Sequence, residues 1–160
     1  MNLHAERLLN VARALREAPV PEAFTMRYFG YSCGTPTPAC AVGHYAARAD
    51  LQDVFQLVPL ETDLIAARLA ARLAVRDESG EWHLIGGGGQ ALRDAISHFG
   101  IDYGEWDTLF DRQGCGNAQT PEAAAEYIER FVAAKWPAVV EVTEAGAERV
   151  AERVPEEVYV

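Results

Sequence analysis

The sequence predicts a predominantly helical α+β domain, with helices around a small antiparallel hairpin or sheet. Three observations predict it. Several segments repeat apolar residues at helical spacing. One short segment, 75–85, alternates apolar and polar residues about a Ser79-Gly80 turn. The regular strand–helix alternation of a doubly wound fold is absent. The 160 residues are read as one domain over 1–136, with 137–160 as a C-terminal appendage of that domain. Hydrophobic residues make up 49% of the chain, enough to close a core without disulfides.

The elements follow in order. Leu3, Leu8, Leu9, Ala12 and Leu15 share one helical face, and Pro19 and Pro21 end that helix. The aromatic run 24–31, FTMRYFGY, reads as a short strand or a buried connector. A Gly/Pro/Thr turn then gives way to a helix from about Ala39 to Arg48. Residues 54–60, VFQLVPL, suit a strand end or an irregular segment. Thr62 predicts the cap of a helix over 63–74, with Leu64, Ile65, Leu69 and Leu73 on one face.

The hairpin 75–85 leads into four glycines, Gly86 to Gly89. They lack the Lys-Ser/Thr of a phosphate loop and read as a flexible connector. The helix that follows, from Gln90, closes at Gly100. A short helix is expected over 105–111 and a polar loop over 112–119. Thr120-Pro121-Glu122 is a helix start: a capping threonine, proline at the first helical position, then an acid. That helix runs to Trp136. The tail carries an apolar AVVEV, a helix-like stretch and a final VYV.

Net charge is −10, and it is uneven. Residues 1–100 hold 11 acids and 9 bases, a balance of −2; residues 101–160 hold 13 and 5, a balance of −8. No basic stripe exists, so nucleic-acid binding through phosphates is not expected. The acidic final third suits a protein partner with a basic surface, or simply a solvated face. No stretch approaches the ~18 continuous apolar residues of a membrane span. The amphipathic start does not read as a signal peptide. With three cysteines, an odd number, the chain reads as a cytoplasmic protein with thiols rather than a disulfide framework.

The segment CGTPTPACAVGH places Cys33, Cys40 and His44 within twelve residues. Together with Phe99-Gly100-Ile101, Leu109-Phe110 and Thr120-Pro121-Glu122-Ala123-Ala124, it resembles a loose group of small, mostly helical bacterial and phage proteins. Those proteins carry a CGT-x-ACxxGxA segment, and this chain inserts Pro-Thr between its halves. The resemblance covers about residues 3–48 and 97–134. It implies a fold class and a bacterial or phage origin, and no activity.

Three function classes follow from the residues. The leading one is a binding or interaction module without a cofactor, in which Cys40 is one packing residue on a small-residue face with Ala39, Ala41, Gly43, Ala46 and Ala47. The second is a cysteine-dependent hydrolase. Cys40 in a first helical turn would have its thiolate favoured. His83, on the strand WHLIGG, would be its base, with Gln90 or Asn117 to orient it. The segment HLIGGGGQ is similar to the strand after the histidine of NlpC/P60-type cysteine peptidases, but the Asp-Cys-Ser/Gly-Gly elements of that family are missing. The third is a zinc-stabilised module using Cys33, Cys40, His44 and Cys115, a Cys3His set of the right chemistry but irregular spacing. Burial in an alanine-rich helix is expected to raise the Cys40 pKa against the dipole.

Overall fold

The computed structural model describes residues 2–31, 36–59, 70–86 and 89–137. Helix α1 (Leu3–Arg16) begins at Asn2, whose side chain accepts from the His4 and Ala5 amides. A single turn of 3-10 helix covers Pro21–Ala23. Strands β1 (Gly30–Tyr31) and β2 (Thr37–Pro38) pair antiparallel. Helix α2 (Ala41–Ala46) follows, and all of its residues are buried. Strands β3 (Phe55–Val58), β4 (Arg72–Arg76) and β5 (Trp82–Leu84) form an antiparallel sheet in that order. Then come α3 (Gly89–Phe99), α4 (Tyr103–Phe110), the helical turn α5 (Gly114–Asn117) and α6 (Pro121–Lys135). This is the mostly helical α+β fold that the sequence predicts.

The caps explain where the helices start. Asp102 and Glu105 form a reciprocal capping box at α4, each side chain bonding the other's backbone amide. The Thr120 hydroxyl accepts from the Ala123 amide, and Pro121 opens α6. Gly100 takes a positive φ of 63° to close α3, with Ile101 N bonding back to the Ile96 carbonyl.

Packing decides the rest. α1 lies mainly against α6, and also against α2 and α3. Its buried face is Ala5, Leu8, Val11, Ala12, Ala14 and Leu15. Leu3, expected on that face, is 54% exposed, at the first residue of the helix. The Arg7 guanidinium donates to the His98 carbonyl at 2.7 Å, tying α1 to the end of α3. The rings of Phe55 and Phe99 stack at 5.6 Å, which joins α3 to the face of the sheet.

Two expectations are corrected. The helix expected over 63–74 is not the structure of its last turn: Arg72, Leu73 and Ala74 lie in β4, and Ala71 bridges to Gly30. Residues 63–69 of that expectation lie outside the described residues. β4 is the central strand, so Leu73, Ala74 and Val75 are all buried, and pairing on both sides overrides a helical apolar period. The second correction concerns α2. It starts two residues later and ends two residues earlier than the span 39–48, and Ala47 is exposed. α1 packs against this helix, and over Gly43 itself lies the backbone of Phe29. A Cβ at Gly43 would run into the carbonyl of Phe29.

The hairpin lies where the sequence predicts it. Val75 pairs with His83 and Arg76 with Trp82, and the turn closes through Asp77 N to the Glu81 carbonyl at 2.9 Å. Trp82 sits 42% exposed on the edge strand, with the Arg76 guanidinium over its ring. Trp106 is buried and packs edge-on to Phe110 at 4.9 Å within α4, and Phe110 meets Phe99 of α3 at 5.3 Å, which docks α4. The tail from residue 138 onward, and with it most of the expected appendage, lies outside the described residues.

Candidate functional site

Cys40 is the N-cap of α2 rather than a member of its first turn, with extended φ/ψ. It is 1% exposed. Its sulfur accepts from the Gly43 amide at 3.4 Å. Burial pushes the thiol up to about 11, against the smaller lowering from that amide. The competition between burial and the helix terminus therefore goes to burial.

His44 lies one turn further on. Its Nδ1 is 2.9 Å from the Cys40 carbonyl. A carbonyl only accepts, so Nδ1 carries the hydrogen and Nε2 is a bare lone pair. Nε2 is buried and has no partner among the described residues, and burial lowers the pKa of the ring. His44 is thus neutral, and it meets the backbone of Cys40 rather than its sulfur.

Cys115 sits in α5 with a φ of 54°. Its thiol donates to the Leu109 carbonyl at 3.2 Å. Burial, with Cys40 nearby, pushes it up to about 12. Both cysteines are free thiols.

His83 is positioned by the hairpin. Its Nε2 lies 2.7 Å from Asp77 Oδ2, and that hydrogen bond raises its pKa. The other Asp77 oxygen accepts from the Ser79 hydroxyl and from the Ser79 and Glu81 amides. These bonds hold the Asp77 carboxyl well below the usual carboxylate range, the Ser79 hydroxyl most and His83 next. Asp77 is therefore the orienting partner. Gln90 instead bonds Asp94, and the Asn117 carbonyl accepts from Gln119. Among the described residues no hydrogen bond joins His83 to Cys40.

The Cys3His set has one member, Cys33, outside the described residues. The other three do not converge. Among the described residues, Asp77, Glu81 and His83 are the only group of three ligand atoms gathered within 4.8 Å. That group already has a structural role, because Asp77 spends both oxygens on the turn and on His83.

A concave surface lies elsewhere. A cleft of about 260 Å³ opens between the segment 26–29 and the segment 110–112, with the buried Cys40 at its base. One wall is held by the backbone: Thr25 N bonds the Ala39 carbonyl, and Ala39 N bonds the Phe29 carbonyl, at 3.1 and 3.0 Å. Gly43 beneath Phe29 allows that close approach. The other wall is the end of α4. There Gly114 N caps the Asp111 carbonyl at 2.7 Å, and a Cβ on Gly114 would stand 3.1 Å from the Met26 methyl. A smaller pocket of about 130 Å³ adjoins, lined in part by Asn117 and Gln119.

Arg27 and Arg112 line both pockets. Both are exposed. The sequence reading did not single them out. The available signal was in Arg27, which stands in an aromatic run with no acid within four positions.

Compared with known proteins, the chain matches no family model, no curated protein and no solved structure. No helix among the described residues is long and apolar enough to cross a membrane.

Proposed function

We propose that this chain is a binding and interaction module that works through the cleft between residues 26–29 and 110–112. One observation carries the reading: the thiol at the base of the cleft is buried, its pKa is raised by that burial, and no histidine among the described residues bonds its sulfur. The Cys40 sulfur accepts from the Gly43 amide, and the His83 ring nitrogen is bonded to Asp77. A cysteine hydrolase needs a thiolate and a histidine in contact, and neither condition is supported. Two thiols among three cysteines favour a reducing compartment, the cytoplasm. The resemblance noted above adds membership of a bacterial accessory or phage-derived set.

The test is thiol alkylation of the folded chain across pH 6 to 9, mapped by mass spectrometry, beside metal analysis. Cys40 and Cys115 are expected to resist iodoacetamide until urea is added. Selective labelling of Cys40 near neutral pH would replace the reading with the hydrolase. One zinc per chain would replace it with the zinc-stabilised module.

The charge imbalance favours a second contact. The balance of −8 over residues 101–160 supports a protein partner with a basic surface. Such a complex should weaken steeply with added salt.

A further inference from the structure

The cleft walls bring together two arginines from distant parts of an acidic chain. This is an acidic chain, and several of its cations find carboxylates. Arg16 pairs with Glu122 and Glu129, Arg48 with Glu17 and Asp50, Arg76 with Asp53, and Lys135 with Glu105. Arg27 and Arg112 pair with no carboxylate among the described residues, although they share the walls of two adjoining pockets. Asp111 also lines the larger cleft. One carboxylate against two guanidinium groups leaves the rim positive. Two guanidinium groups held near one another repel, and an oxyanion between them would reverse the sign of that interaction.

The remaining surface is apolar. Met26, Tyr28, Phe29 and Phe110 line the larger cleft, and Tyr28 is 38% exposed. A site with a few convergent polar groups on an apolar wall is the usual form of a small-molecule pocket. Resting on the interaction-module reading above, we infer that this cleft takes a small organic oxyanion. Its carboxylate or phosphate lies between Arg27 and Arg112, and its apolar body, about one ring in size, lies against Tyr28 and Phe29. The neighbouring Asn117 and Gln119 supply amide donors at the end of the smaller pocket.

The experiment titrates the full chain with phenyl phosphate, 3-phenylpropionate and the neutral control benzyl alcohol, read by amide shifts in NMR. The two anions should perturb residues 26–29 and 112. Their affinities should fall about tenfold or more in Arg27→Gln and again in Arg112→Gln. Both side chains are exposed, so the melting temperature of each variant should stay at that of the wild type and loss of binding cannot be ascribed to unfolding. A preference between the two anions names the headgroup, and either preference supports the inference. Equal binding of benzyl alcohol, undiminished binding by the double variant, or no shift with either anion would overturn it. Those failures are distinct from failure of the module reading, which is read from Cys40 labelling and metal content.

Discussion

The Tyr45 hydroxyl lies 2.9 Å from His98 Nε2, and both rings are withdrawn from water. Tyr45 comes from α2 and His98 from the last turn of α3. Phe55 closes the site from β3, its ring 5.1 Å from His98 and edge-on to it. Three elements thus meet on one neutral hydrogen bond. Burial pushes His98 down to about 3, with the nearby Arg7 and His4 acting the same way.

A pH dependence follows. The unfolded imidazole takes a proton below its ordinary value near 6.5, and the folded one does not. A depressed folded pKa gives stability that is present above 6.5 and is lost as pH falls towards 3. By pH 4 the loss should be on the order of 3 kcal/mol. His44, also lowered by burial, acts in the same direction. Urea melts from pH 7 to pH 4 check this, and His98→Gln should flatten the slope over that window. An unchanged slope in the variant would assign the acid sensitivity to other groups.

His83 should behave in the opposite sense. Its folded pKa is raised by Asp77, so its contribution is complete below the unfolded value and disappears as pH rises through the folded one. The pair is partly open to solvent, its side chains 30% and 21% exposed, so its effect on stability is small. The direct measurement is an NMR titration of the imidazole. Asp77→Asn should bring its midpoint down towards that of a free histidine.

Gly43→Leu should destabilise the fold by about 1–3 kcal/mol through overpacking. Even Gly43→Ala should lower the melting temperature, because a Cβ there meets the Phe29 carbonyl, a backbone group that cannot rotate away. A wild-type melt for the alanine variant would mean that segment 25–29 yields.

The α1–α6 seam tests which of two forces holds it. Ile128, in the buried face of α6, is fully buried, and Ile128→Ala should cost about 2–5 kcal/mol. Glu129 pairs with Arg16 across the same seam at 2.6 Å, with side chains 41% and 37% exposed. Glu129→Gln should cost less than about 1 kcal/mol. Denaturant midpoints of the two variants decide between packing and the surface ion pair.

Residues that act on near neighbours were legible in the sequence. Thr120 sits three residues before the amide that it caps. The Ser79-Gly80 turn pairs strands only a few positions apart. Burial of Cys40 followed from the alanine-rich run around it. These interactions are local, so residue type and spacing fix them. Tertiary contact decided what was not local. Leu73 reads as one more apolar residue at helical spacing, and it lies in β4 because β3 and β5 pair with that strand on both sides. Asp77 became the partner of His83 only once the hairpin register set them together. Arg27 and Arg112 stand 85 positions apart, and no local pattern links them. They share a cleft because Gly43 lets segment 26–29 lie close over α2 while Gly114 brings the end of α4 up to Met26.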